Sequence, residues 1–264
     1  YLIKIKIIYL SLMLVYTLNY FELDIILIIF TSVFLGGMIK GTVGIGLSMF
    51  AVPIIAFFLP PTTSMILLCV PVLVTNVLQI EVQKGINSYR FLPMFIALVV
   101  GILIGVNLIL EINHSSISKI IAISIIFAAI FNLFGLNFSD VKPNLEKIIT
   151  IPLGFFSGII GGVSNMYSPY ILAYLVSTNL EKDALIRTIA TMYFLGSLII
   201  FPLWFYNGLG TLQDIIWSIL LVLPAIIGQK IGTIIRGKIS NELFKKIILY
   251  ILMLIGLSLL IKNI

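Results

Sequence analysis

The sequence predicts an all-α, polytopic integral membrane protein made of two inverted-topology repeats with glycine-broken helices. Three observations carry that expectation. Hydrophobic residues fill 61% of the 264 positions and charged residues only 10%, against roughly 25% charged in a soluble domain; mean hydropathy is +1.22. Apolar segments near the length needed to cross a bilayer, about 20 residues, recur from end to end. Two glycine-rich stretches, one in each half, interrupt segments that otherwise suit hydrocarbon.

Taken in order, Lys4 and Lys6 precede a short apolar run. With no small-residue cleavage site behind it, residues 1–24 are expected as a retained signal anchor or extra helix. A first transmembrane repeat is expected over 25–136, with apolar segments at 25–39, 43–59, 64–80, 92–110 and 117–136. A polar stretch, 137–147, reads as a cytoplasmic linker. The second repeat, 148–264, has segments at 148–163, 166–178, 185–206, 213–235 and 245–262. Those beside the glycines are short for a bilayer and read as half-helices or re-entrant segments.

Charge orients this layout. With Glu22 and Asp24 outside, one side collects Lys40, Lys84, Arg90, Lys142, Lys147, Lys182, Arg187, Arg236, Lys238, Lys245 and Lys246. The other holds Lys119 and Lys262. That asymmetry marks the first side as cytoplasmic. It also accounts for the net charge of +6 without invoking nucleic acid. Lone Cys69 excludes a disulfide framework and a cysteine-based metal site, and lone His114 lies in a polar loop. No metal or other cofactor is expected. The partners expected are membrane lipids and a small anion, and association of like chains stays open.

The halves share an ordered series of motifs. Gly41-x-x-Gly44 before Pro53 is answered by Gly158-x-x-Gly161 before Pro169. Gly101-x-x-x-Gly105 is answered by Gly228-x-x-x-Gly232, and Lys119-Ile-Ile by Lys246-Ile-Ile. Five segments per unit place the copies in opposite orientations, the arrangement typical of secondary transporters, with substrate at the midplane between them.

Two readings stand for each candidate residue. Gly41, Gly44 and Gly46 could open the helix so that backbone N–H groups and a half-helix N-terminus face an anion, or they could serve close helix packing. Lys40 stands between apolar half-segments and could attract the anion. In the second stretch Gly158, Gly161 and Gly162 accompany Ser157, Ser164, Asn165 and Ser168, neutral polar groups that must face a cavity or one another in lipid. Asn76, with Thr75 and Gln79 beside it, reads as substrate contact or interhelical hydrogen bonding. Thr191 and Thr188 occupy the comparable segment of the second half, and Arg187 reads as an anchoring charge. No acidic residue lies inside a clear apolar span. H-E-x-x-H, G-x-S-x-G and a P-loop are missing, so an enzyme is not expected. A non-transporting membrane scaffold is the alternative.

The chain after residue 24 resembles the sulfite exporter (TauE/SafE-type) family of bacterial and archaeal membrane proteins. The resemblance rests on Gly37-x-x-x-Gly41-x-x-Gly44-x-Gly46 running into Pro53, and on Gly154-x-x-x-Gly158-x-x-Gly161-Gly162 running into Ser168-Pro169. The closing pattern adds Gly228-x-x-x-Gly232, Arg236, Phe244 and a helix containing Gly256. It implies export of a small sulfur-containing anion, sulfite or an organosulfonate, across a prokaryotic inner (plasma) membrane. Where the family often has three glycines in a row, this chain has Gly46-Leu47-Ser48, which leaves the identity of the anion open.

Overall fold

The computed structural model describes residues 22–80, 88–113, 116, 117, 119, 123, 143–178, 180–240, 243, 246, 247, 250 and 254. Residues 1–21 of the expected N-terminal anchor, His114, the linker before Pro143, Phe244 and the Gly256 helix lie outside them. Among the described residues every regular element is helical: α1 (Leu23–Val43), α2 (Leu47–Ile55), α3 (Pro61–Ile66), α4 (Cys69–Ile80), a 3-10 turn (Ser88–Phe91), α5 (Leu92–Leu108), α6 (Pro143–Ser164), α7 (Ser168–Ser177), α8 (Lys182–Tyr206), α9 (Leu212–Leu220) and α10 (Val222–Arg236). Among the described residues five helical stretches are long and apolar enough to cross a membrane: Leu23–Val43, Pro61–Ile80, Glu146–Ser164, Asp183–Tyr206 and Leu212–Arg236. This is a multi-pass membrane protein. Leu27, Ile96, Leu103, Phe156, Leu223 and Ile234 are exposed and suit contact with lipid.

Two units share one local design. Helix α1 starts with Asp24 in its first turn and ends with Lys40 in its last, each charge complementing the helix dipole. It stops at Gly44, in the left-handed region at φ 91°, whose N–H returns to Lys40 O at 2.7 Å. After Gly46 the chain resumes as the nine-residue α2. In the second half, α6 stops at Asn165, also left-handed at φ 57°, with its N–H on Gly161 O at 2.7 Å. The ten-residue α7 follows. Asparagine is the side-chain-bearing residue that tolerates this conformation most readily.

The geometric counterpart of Gly44 is therefore Asn165 rather than Gly161, one helical turn away from the pairing that glycine spacing suggests. The prolines do not correspond either, since Pro53 is inside α2 while Pro169 is in the first turn of α7. Two further expectations change. Lys40 belongs to the last turn of α1, not to a gap between half-segments, and Pro143–Lys147 begins α6 instead of closing a linker.

Small residues set the helix packing. Helix α1 crosses α10 so closely that a Cβ on Gly41 would lie 2.1 Å from Gln229 O, and one on Gly232 2.0 Å from Met38 O. Helix α5 crosses α6 likewise: a Cβ on Gly158 would lie 2.1 Å from Leu98 O. Only glycine permits such backbone approach. Helix α8 runs through the middle, with 67% of its apolar window buried against 33% for α1, and it packs on α4, α5 and α7.

Candidate functional site

The first break carries a buried charge. Lys40 is only 4% exposed. Its Nζ donates to Asn76 Oδ1 and stands 5.7 Å from the centroid of the Tyr193 ring, a cation–π arrangement. The ion pairs among the described residues are Arg90–Glu146 and Arg236–Asp183; Lys40 pairs with no carboxylate. Helix α4 holds this turn of α1 twice, because Gln79 Nε2 donates to Lys40 O at 3.1 Å. Asn76 Nδ2 and Gln79 Oε1 are buried without a hydrogen-bond partner among the described residues. Gln229 of α10 donates to Thr75 O at 2.9 Å, so three helices meet at this level.

The second break reaches the same region from the other half. Asn165 is fully buried, and its Nδ2 donates to Ser48 Oγ on α2 at 3.4 Å. Its Oδ1 has no partner among the described residues. Tyr167 folds back against α6, where a Cβ on Gly161 would strike its ring at 2.4 Å. Its ring lies 4.1 Å from that of Tyr193, and its hydroxyl donates to Tyr193 O at 2.7 Å, 3.2 Å from Ser197 Oγ. Tyr193 is thus shared: its ring faces Lys40 on one side and packs on Tyr167 on the other.

A cavity of about 430 Å³ adjoins this cluster through Gln79 of α4 and is lined as well by Ile186 and Arg187 of α8 and by Gln229, Lys230 and Arg236 of α10. Its cations outnumber Asp183, which pairs with Arg236 at 3.7 Å. Of its lining, Ile186 lies on Gly44, where a Cβ would come within 2.6 Å of Ile186 Cγ1. No side chain caps α2 at Gly46, so the first N–H groups of that helix point at the break.

The structure brings together Lys40, Gly44, Gly46, Asn76 and Asn165. It places the other candidates elsewhere. Gly41, Gly158 and Gly162 face neighbouring helix backbones, leaving a ligand no room. Gly161 makes the slot for Tyr167. Ser164 donates to Ile160 O at 2.7 Å and accepts from Met166 N, so its hydroxyl is committed to the break itself. Thr191 donates to Arg187 O and lines a separate cavity of about 110 Å³ with Phe91, Phe95 and Thr188. The Ser168 side chain lies outside the described residues. Sequence reasoning missed Tyr167 and Tyr193; the only signal was Tyr167 standing between the glycines and Pro169. It also missed a buried carboxylate. Glu146 is 7% exposed, pairs with Arg90 at 2.8 Å and accepts from the Tyr174 hydroxyl, tying the turn before α5 to the start of α6 and to α7.

Compared with known families, residues 29–259 match the family described as "Sulfite exporter TauE/SafE". The chain belongs to that family. No curated protein and no solved structure matches it significantly.

Proposed function

We propose that this member of the sulfite exporter TauE/SafE family is a secondary transporter that binds a small sulfur-containing oxyanion, sulfite or an organosulfonate, between its two broken-helix units and releases it outside the cell. Membership in a transporter family makes it a membrane transporter of a small anion. One observation carries the choice of site: Lys40 is buried at 4% exposure with no carboxylate beside it. An uncompensated ammonium in a protein interior costs several kcal/mol, and the anion is the missing counter-charge.

The remaining features fit that role. The cationic cavity concentrates anions at one face, which the charge asymmetry of the sequence assigns to the cytoplasm. Ile186, which lines the cavity, lies against Gly44. Asn76 Nδ2 and the uncapped N–H groups of α2 supply donors for oxyanion oxygens. The Gly44–Gly46 and Asn165–Tyr167 breaks are hinges about which one unit rocks against the other, with the units inverted across the inner membrane.

Purified protein in proteoliposomes tests this. Saturable sulfite or sulfonate efflux is expected, weakened at least tenfold by Asn76→Leu. Vesicles no leakier than protein-free ones would overturn the transport reading and favour a scaffold.

A further inference from the structure

We infer that the groove on the outer side of the α5–α6 pair binds one anionic phospholipid of the cytoplasmic leaflet, with an acyl chain in the groove and the phosphate at Lys147 and Arg90. This lipid site is separate from the proposed anion site and does not depend on it.

The groove follows from how the two helices pack. Glycines bring α5 and α6 together backbone to backbone: a Cβ on Gly154 would lie 2.2 Å from Met94 O, and one on Gly101 2.1 Å from Phe155 O. Larger side chains on the outer face of each helix cannot follow that approach and stand apart. Leu92, Ile96 and Val100 form one wall and Ile151 and Phe156 the other, all exposed, with buried Ala97 at the floor. Every side chain lining the groove is apolar, so it suits hydrocarbon and offers nothing to a polar solute. Its volume of about 680 Å³ lies within the range of about 300–1,000 Å³ usual for cavities that hold one small organic ligand.

Its length fits one leaflet. From Leu92 to Val100 the helix rises about 12 Å, at roughly 1.5 Å per residue. Half of a hydrocarbon core of about 30 Å is about 15 Å.

The mouth of the groove is charged. Lys147 is exposed and stands one turn before Ile151 and two before Phe155, on the same face of α6. Arg90 shortly precedes Leu92, and its Nε on Glu146 Oε1 at 2.8 Å holds it next to the start of that face, with 36% of its side chain exposed. Glu146 offsets Arg90, so among the described residues Lys147 leaves the mouth with a positive excess. Pro152 has no N–H to return to Ile148 O, which adds a backbone acceptor for a headgroup hydroxyl. Charge asymmetry assigns this end to the cytoplasm, where basic residues attract anionic lipid. A zwitterionic lipid fills the groove equally well but gains less from the excess charge.

The test uses the intact chain, stripped of lipid in detergent and titrated with phosphatidylglycerol or with phosphatidylcholine of the same acyl chains, bound lipids being counted by native mass spectrometry. One phosphatidylglycerol per chain should bind about fivefold more tightly than phosphatidylcholine. Lys147→Gln should remove most of that preference, while Lys238→Gln, at an exposed cation outside the groove, should leave it unchanged. Ile96→Trp, which fills the groove from an exposed position, should weaken both lipids alike. Equal affinity for the two lipids in the wild-type protein, or a preference that survives Lys147→Gln, would overturn the inference. Lipid binding untouched by Ile96→Trp would overturn it too, and would leave the groove to another segment of this chain or to a second copy. The first comparison uses wild-type protein and does not depend on any variant folding.

Discussion

The Asn165 amide donates to Ser48 Oγ at 3.4 Å across 117 residues of sequence. The residue that ends α6 thereby touches the second residue of α2, and the two helix breaks are joined by side chains. Asn165 has two separable jobs, a backbone conformation at φ 57° and this amide contact. Asn165→Gly should keep the break and fold stably while losing much of the anion affinity. Asn165→Ala should lose the contact and also about 1–2 kcal/mol, because alanine dislikes the left-handed region. Thermal unfolding beside anion binding separates the two; equal stability of both variants would contradict the backbone role.

Gly158 serves packing. Gly158→Ala sets a methyl 2.1 Å from Leu98 O, forcing α5 and α6 apart. A loss of about 1–3 kcal/mol is expected, seen as a lower Tm. Anion affinity of the folded fraction should be unchanged. A selective loss of affinity at full stability would return Gly158 to the binding site.

Lys230 is exposed at the cavity and should act by long-range attraction. Lys230→Gln is expected to raise KM about twofold at low salt with kcat unchanged, since surface charges act on encounter. The difference should vanish near 1 M salt, where the Debye length falls to about 3 Å. A salt-independent change would argue for direct contact.

Glu146 accepts from both Arg90 and Tyr174 through the same oxygen. Glu146→Gln and Tyr174→Phe should each destabilise by about 1–2 kcal/mol. The double variant should cost less than the two together, because both remove one shared interaction. Strict additivity in denaturation measurements would show that the two contacts are independent.

Among the described residues the helices, their order and the two breaks were legible because hydrocarbon demands long apolar runs and tolerates interruption only where protein buries the backbone. Lys40, Asn76 and Asn165 stood out as polar groups in apolar surroundings. Register was harder. Matching glycine to glycine hid the fact that Asn165 takes the place of Gly44, since the same backbone conformation is open to both residue types. The spacing that marks Gly41 and Gly158 as site candidates is also the spacing of close helix crossings, and only the neighbouring carbonyls decide between them. Lys40 counted as a cytoplasmic charge because topology rules see charge and not burial. Tyr193 carried no signal, and Tyr167 only its place between the glycines and Pro169, because aromatic residues in membrane helices ordinarily mark the interface. Glu146 was hidden by its position at a polar linker.

Lys40→Met is the most direct measurement, read for stability and flux in one preparation. The side chains are similar in length, and the substitution removes a buried charge that no carboxylate compensates. The anion-free protein should become more stable, by about 1–4 kcal/mol, and sulfite or sulfonate efflux from proteoliposomes should fall to the protein-free rate. Efflux at the wild-type rate in a stably folded Lys40→Met protein would contradict the account.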